Sequence, residues 1–224
     1  MNDPLPQGAK IGILGGGQLG RMLSVAASRL GFTTHIFEPG ANPPAGQVAH
    51  KITTASYEDT KALRAFAQSV DVITYEFENI PTSALDVLEK ICTIHPGRKA
   101  LAVSQDRLIE KEFLTGLGLK VAPYADVTNA EAATGAIASI GTPSILKTRR
   151  MGYDGKGQIR LIEASDMTSA WQVMDGAASI LEGFIDFTHE ISVIAARASD
   201  GQVACYDPGE NVHKDGILRS TQVP

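Results

Sequence analysis

Six residues, Gly15-Gly16-Gly17-Gln18-Leu19-Gly20, stand between a short apolar run, Ile11 to Leu14, and a stretch from Gln18 to Leu30 in which Leu19, Met22, Leu23, Ala26 and Leu30 recur at helical spacing. Thr33 to Phe37 then returns to β-branched and aromatic residues. Strand, glycine turn, helix and strand make a βαβ unit, whose strands are parallel because a helix carries the chain back across the sheet. The alternation continues. Lys61 to Gln68 reads as a helix, Val70 to Tyr75 as a buried strand, Pro81 to Lys90 as a helix with proline in its first turn, and Ile91 to Ile94 as a further short strand. The first hundred residues are therefore expected to form a parallel sheet with helices on both faces.

The pattern changes after about Ser104. Asp106 to Leu117 is an amphipathic helix closed by Gly116 and Gly118, Val121 to Val127 a strand, and Asn129 to Ile140 an alanine-rich helix stopped by Gly141 and Pro143. Ser144 to Thr148 and Gln158 to Ile162 read as strands joined by Arg149 to Gly157, with a helix from Ser165 to about Asp175. Ile191 to Arg197 and Val203 to Tyr206 flank Asp200-Gly201, a hairpin signal, so this half is expected to be antiparallel. Ile217 to Pro224 offers no cap or closing helix, and the strands are too few to cover themselves. A C-terminally truncated chain is the expectation.

Composition removes several classes of function. Hydrophobic residues make up 43% and charged residues 20% of the 224, as in a chain that folds. The net charge of −5 has the wrong sign for a surface that grips a nucleic-acid backbone, so any anion site must be local. Cys92 and Cys205 have no His or Cys at ligand spacing, which leaves no zinc site or disulfide framework. The opening residues lack the apolar core of a signal peptide, and no stretch approaches the roughly 18 apolar residues of a membrane span. A cytoplasmic protein, with no nucleic-acid and no membrane partner, is expected.

Several segments can carry chemistry. Gly15 to Gly20 fits G-x-G-x-x-G between strand and helix, and Glu38 stands 18 residues beyond it at the end of the next strand. This is a dinucleotide fingerprint in its usual context, where glycines admit an anion to the helix N-terminus. A tight turn without a ligand is the plain alternative. A Walker A loop is excluded, because Arg21-Met22 replaces Lys-Ser/Thr. Glu76, Glu78 and Asn79 lie where a parallel strand runs out toward the Pro81 helix, the sheet edge at which ligands bind, although Glu78 and Asn79 also suit a simple helix start. Lys147 to Gly157 carries a net +3, and the loop within it, Arg149 to Gly157, has nine residues with three glycines. Such a loop suits closure over polyphosphate, with lysines as point charges. A solvated basic turn fits less well, since Lys147 sits inside a strand where an unpaired ammonium is costly. Leu181 to Ile185, with Glu182, follows a short apolar stretch and precedes Glu190; an acid there can offer backbone groups to a purine edge and a carboxylate to a ribose, a weak signal by itself. Asn211 to Gly216 reads by itself as a turn with incidental charges. His35, His50, His95 and His189 suggest no partners.

Taken in order, GGGQLGRML from Gly15, EFENIP from Glu76, QDRLIEK from Gln105, Lys147 with GYDGKGQ from Gly152, Glu182 with Glu190, and ENVHKDGILR from Glu210 resemble the N5-carboxyaminoimidazole ribonucleotide synthetase family, the ATP-grasp carboxylases of purine biosynthesis. The resemblance implies a Rossmann-like domain at 1–103, a linker helix and ATP-grasp lid at 104–180, and the beginning of a central ATP-grasp domain with an antiparallel sheet at 181–224. It also implies ATP-dependent carboxylation of 5-aminoimidazole ribonucleotide by bicarbonate through carboxyphosphate, in a homodimer. By resemblance Arg107, Lys147, Gly152, Tyr153, Asp154, Gly155, Lys156, Gly157, Gln158, Glu182, Gly183, Phe184, Ile185, Glu190 and His213 bind ATP. Lys147 takes the phosphates, Glu182 and the backbone near Ile185 the adenine, and Glu190 the ribose. Gly17, Gln18, Leu19, Glu76, Tyr153, Lys156 and Arg219 form the ribonucleotide side, with Lys156, Tyr153, Asp154 and Arg219 in catalytic roles. The first loop then binds a monophosphate rather than a dinucleotide. Mg²⁺ accompanies ATP, with its protein ligands beyond residue 224 and none among these residues. Three alternatives stand beside this: another ATP-grasp ligase, an NAD-dependent oxidoreductase built on the glycine loop, and a nucleotide-binding module without catalysis.

Overall fold

Lys10–Leu14 (β1) and Thr33–Glu38 (β2) lie parallel, with Ile13 opposite Ile36 and Leu14 opposite Phe37. Successive residues of a strand face opposite sides of its sheet. Leu14 and Phe37 therefore join one buried cluster, and Ile13 and Ile36 another. The computed structural model describes residues 4–152, 156–214 and 217–224, which divide into two compact units, Pro4–Gln105 and Asp106–Pro224.

In the first unit, β1 is followed by Gln18–Arg29 (α1), then β2, a 3₁₀ turn at Pro44–Gln47, Lys51–Thr54 (β3), Thr60–Ala67 (α2), Val72–Tyr75 (β4), Thr82–Leu88 (α3) and Arg98–Ser104 (α4). The sheet is parallel in the order β3-β2-β1-β4. Leu63 and Phe66 of α2, Leu85 and Leu88 of α3 and Leu101 of α4 close over Leu14, Phe37 and Ile73, while Ala45 of the 3₁₀ turn meets Ile13 and Ile36 on the other face. The alternation read from the sequence thus produces the parallel sheet it predicts. Several details differ. Ile91 to Ile94 makes no strand: the amides of Ile91 and Cys92 still bond back to Leu88 at the end of α3, and the run meets the sheet in a single bridge, Ile94 to Ile73, made by the Thr93 carbonyl and the His95 amide. Pro81 stands just before α3 as its cap residue. α1 buries Gly20, Ser24 and Ala27, leaving Leu19, Met22, Leu23 and Leu30 outside. Small residues face inward there because the helix start lies close to the loop before it; a Cβ on Gly20 would come within 2.8 Å of the Gly15 carbonyl oxygen.

His35 is the buried polar residue of this sheet. Ser69 donates to the Phe66 carbonyl, so its hydroxyl is left to accept from His35 Nδ1, at 2.8 Å; Nε2 then accepts from Thr53, also at 2.8 Å. Burial, reinforced by the charges of Lys51 and His50, pulls the imidazole down to about 4. It is a neutral core residue with two partners.

In the second unit, Arg107–Gly116 (α5) leads to Tyr124–Val127 (β5), Ala130–Ile140 (α6), Ser144–Thr148 (β6), Gln158–Leu161 (β7), Asp166–Val173 (α7) and Ser179–Gly183 (β8). These strands form an antiparallel sheet in the order β5-β8-β6-β7, on which α6 and α7 bury Ala133, Ala136, Met167 and Ala170 against Leu146, Leu161 and Leu181. Asp106 caps α5 through the Leu108 amide at 3.0 Å, and Asn129 caps α6 through Ala132 at 2.8 Å. Five strands follow: Glu190–Ser192 (β9), Ala195–Arg197 (β10), Val203–Cys205 (β11), Gly209–Lys214 (β12) and Ile217–Gln222 (β13). The stretch expected as one strand from Ile191 to Arg197 is divided: β10 forms the hairpin with β11, while β9 pairs with β12 in a sheet of order β13-β12-β9. Asn211 to Lys214 belongs to β12 and not to a turn, and Asp215 and Gly216 lie outside the described residues. β8 was not anticipated, and the expected 180/181 division falls inside it. Among the described residues no helix is long and apolar enough to cross a membrane.

Candidate functional site

The first unit presents its glycine loop at the carboxyl end of β1, where Gly15 turns at φ +102° and donates to the Phe37 carbonyl at 3.0 Å. Two acids close over the amides that follow. Glu38 accepts from Gly16 at 2.8 Å with one oxygen and from Gly40 at 2.8 Å with the other, and Glu76 accepts from Gly17 at 2.9 Å. Glu38 is therefore spent on the loop and not held out for a ribose diol, which removes the second half of the dinucleotide fingerprint. Glu76 is placed by its own backbone, which extends β4 and bonds to the Leu14 carbonyl at 3.1 Å. Burial pushes its carboxyl above the usual glutamate value; the Gly17 amide opposes this, and the nearby charges of Glu38 and Glu78 add to it. Gln18 and Leu19 are exposed in the first turn of α1, whose N-terminus has no side-chain cap, so that turn is the loop's remaining anion donor. Glu78 is exposed and accepts from the Asn79 side chain at 3.1 Å, and neither caps α3.

In the second unit the basic loop between β6 and β7 is anchored at its root. Arg149 bonds Asp106 through two nitrogens, at 2.8 and 3.0 Å, and reaches Asp126 at 3.3 Å. Arg149, counted in the sequence as loop charge, is thus already neutralised by the residue that caps α5. Arg107 donates to the carbonyls of Thr148 and Gly152, both at 3.1 Å, and so holds the strand end and the loop together. Gly157, at φ +67°, returns the chain to β7, and Gln158 opens that strand opposite Lys147. Lys156 is exposed beside it. Tyr153, Asp154 and Gly155 lie outside the described residues.

Lys147 is the strand ammonium for which the sequence requires a partner, and the partner is Glu182. Ile145 stands opposite Glu182 across β6 and β8, so Lys147, two residues along, shares that face. Its Nζ lies 2.7 Å from Glu182 Oε2, and Lys111 of α5 lies 3.3 Å from Oε1. Burial pushes the Glu182 carboxyl up, but hydrogen bonding and charge from Lys147, with Lys111 adding to them, hold it below the usual glutamate range. Its carboxylate is committed to two lysines. Beyond it, Gly183 and Phe184 donate to the carbonyls of Pro123 and Pro143 at 2.8 and 3.1 Å, the Arg160 guanidinium covers the Phe184 ring at 4.6 Å, and Ile185 is exposed. Lys111 closes the QDRLIEK run and has no role readable from sequence; the available signal was its position four residues after Arg107, on the same helix face.

Glu190 and His213 come together on β9 and β12. Asn211 stands opposite Glu190, and His213 Nδ1 lies 3.0 Å from Glu190 Oε1. His189, given no partner from sequence, pairs with Glu210 at 2.6 Å. Arg219 is the extra residue of a β-bulge: Val212 pairs with Ser220 and His213 with Leu218, leaving Arg219 between them.

Residues 8–105 match the model of the ribonucleotide synthetase preATP-grasp domain, and residues 112–224 that of the ATP-grasp domain. The N5-carboxyaminoimidazole ribonucleotide synthase of Brucella melitensis is 50% identical over 222 residues, covering 98% of this chain and 61% of its own length. The Bacillus subtilis protein of the same name is 39% identical, covering 97% and 57%. A solved ADP complex of N5-carboxyaminoimidazole ribonucleotide synthetase superposes with a TM-score of 0.92 at 41% identity, over 99% of this chain and 59% of that one. An Aspergillus clavatus N5-carboxyaminoimidazole synthase in complex with ADP and 5-aminoimidazole ribonucleotide superposes with a TM-score of 0.83 at 27% identity, over 95% and 56%. The chain spans about 60% of the length of these four relatives. With the ATP-grasp model matching residues 112–224 and the preATP-grasp model matching residues 8–105, the chain belongs to the ATP-grasp family.

Proposed function

We propose that the whole protein carboxylates 5-aminoimidazole ribonucleotide with bicarbonate at the expense of ATP, giving N5-carboxyaminoimidazole ribonucleotide, ADP and phosphate. The observation that carries this reading is the Lys147–Glu182 pair beside a hairpin rooted by Arg107, in a chain whose relatives are solved with ADP and, in one case, with the ribonucleotide. ATP lies along Arg107, Lys147, Gly152 to Gln158, Glu182 to Ile185, Glu190 and His213. The ribonucleotide side takes Gly17, Gln18, Leu19, Glu76, Tyr153, Lys156 and Arg219, with Tyr153, Asp154, Lys156 and Arg219 nearest the reacting groups. The lid sheet is taken to run through β8, so the lid ends at Gly183 rather than at residue 180. The parallel domain and the start of the central domain keep their expected places, in a cytoplasmic homodimer.

The chemistry accounts for these residue types. Bicarbonate is a poor electrophile; its oxygen attacks the γ-phosphorus of ATP, the bond to the bridging oxygen breaks, and ADP leaves with that electron pair. Lysine and backbone donors stabilise the charge in transfer. The amine nitrogen of the ribonucleotide then attacks the carboxyl carbon, or the CO2 released from it, and phosphate departs as the nitrogen loses a proton. A glycine-rich hairpin suits a lid that keeps water from this labile intermediate. Mg²⁺ accompanies ATP in this reading. No group of three metal-ligating side chains occurs among the described residues.

The test is phosphate release by the full-length protein, with and without bicarbonate and 5-aminoimidazole ribonucleotide. Release that requires both supports the proposal. ATP binding without such release favours a nucleotide-binding module, and release driven by a different amine or carboxylate favours another ATP-grasp ligase. Glu76→Ala is expected to raise the KM for the ribonucleotide while sparing basal ATPase activity.

A further inference from the structure

Lys147 has two tasks at the proposed nucleotide site: it holds Glu182 at 2.7 Å, and it must reach the phosphates. An ammonium drawn toward phosphate would leave behind a carboxylate whose side chain is only 12% exposed, and a buried carboxylate without a counter-charge takes up a proton instead. Lys111 supplies what is missing. It projects from α5 over the Tyr124 ring, 14% exposed, and engages the other oxygen, Oε1, at 3.3 Å. The groups that face Glu182 are Lys111 from α5, Lys147 from β6 and the Tyr124 ring from β5, directly opposite it. One turn earlier on the same helix, Arg107 holds the carbonyls of Thr148 and Gly152, so α5 fixes both the root of the hairpin and the carboxylate behind it.

We propose that Lys111 is a positioning residue of the nucleotide site, keeping Glu182 ionised and in place so that Lys147 can be shared with phosphate. This inference rests on the ATP-site assignment, and its test separates the two. Titrating full-length protein with Mg·ADP by calorimetry between about pH 5 and pH 9 spans the range in which a freed buried glutamate titrates. Lys111→Met is expected to weaken binding about tenfold at the alkaline end, corresponding to about one unit of pKa shift, and to regain affinity toward acid as Glu182 takes up a proton on binding. Buffers of different ionisation enthalpy report that uptake. Lys111→Arg should restore the wild-type profile. In a Glu182→Gln background, where the site is neutral without help, Lys111→Met should add no further loss, and this pair keeps the test decisive if the single variant folds poorly. Wild-type affinity and pH dependence in Lys111→Met, a loss equal at every pH, or an undiminished loss in the Glu182→Gln background would each overturn the proposal. Unchanged ADP affinity in Lys147→Met would instead remove the nucleotide-site assignment.

Discussion

Glu76 and Glu182 are both shielded carboxylates beside a glycine-rich loop, and their surroundings move them in opposite directions. Glu76 has burial and two like charges against a single amide, and rises; Glu182 has two lysines against its burial, and falls. The difference lies in who supplies the counter-charge. At Glu182 the fold already contains it, so the carboxylate acts as an internal brace for Lys111 and Lys147. At Glu76 the fold withholds it, and a ligand offering an amine or hydroxyl donor would complete the site. One carboxylate is satisfied by two lysines within the fold, and the other is left with a single amide.

The strongest way to break this contrast is to turn Glu182 into a second Glu76. Lys111→Met/Lys147→Met removes both cations from a buried carboxylate and is expected to cost about 3 to 5 kcal/mol of stability, read from the urea midpoint at neutral pH. Adding Glu182→Gln should recover most of that, because no buried charge then lacks a partner. A double variant as stable as the wild type would mean that Glu182 is solvated after all. Next in size is Gly15→Ala. The position has φ +102°, and a Cβ there would come within 2.8 Å of Glu76 Oε1. The expected loss is about 2 kcal/mol from the left-handed backbone and the displaced carboxylate, and chemical denaturation measures it.

These two residues also show what a sequence can and cannot reveal. Gly15 announced itself, because a strand, a glycine run and a helical period can be read locally. The parallel sheet and the hairpin signal at Asp200-Gly201 were visible for the same reason. Partners were not visible, because they are set by register between distant strands: that Lys147 would find Glu182, or that Arg149 would be taken by Asp106, depends on β6 lying beside β8 and beside the start of α5. β8 itself was hidden by a glutamate in an otherwise apolar run. β3 escaped because it is a short, mostly exposed edge strand with no buried face to impose a period. β12 and β13 escaped because their polar residues read as a turn while their exposed faces impose no alternation.

Acid titration sharpens the comparison, once His35 is separated from it. Its folded value, about 4, lies below the ordinary 6.5, so the neutral imidazole contributes stability that is fully present above 6.5 and is lost as pH falls toward 4. The expected loss is about 2 kcal/mol, somewhat less than the full shift implies because part of the ring's surroundings is solvated. Glu182, with its lowered value, contributes stability that survives this range and is lost only as pH falls through the lowered pKa, below the ordinary glutamate value. Thermal melts across this range should therefore show the His35 step first. His35→Gln, which can still bond Ser69 or Thr53, should lower stability at neutral pH and flatten the curve between 6.5 and 4. A curve of unchanged slope would place the acid sensitivity elsewhere.

The smallest effect is the most informative about function. Because the folded value of Glu76 is raised, its protonated form is favoured by the fold; stability is fully present below the ordinary glutamate value and is lost as pH rises through the raised one. At neutral pH the ionised carboxylate is thus a net burden, and Glu76→Gln, whose amide oxygen can still accept from Gly17, should stabilise the protein by less than about 1 kcal/mol, the scale of solvent-screened charges. The gain should vanish in acid, where both side chains are neutral, and melts of the two proteins at several pH values would show the convergence. The same substitution should weaken binding of 5-aminoimidazole ribonucleotide, since an amide offers a donor's partner less charge than a carboxylate does. A variant that gains stability while losing substrate identifies Glu76 as a group held in readiness for a ligand; one that loses both would make it a structural brace like Glu182, and the contrast between the two loops would disappear.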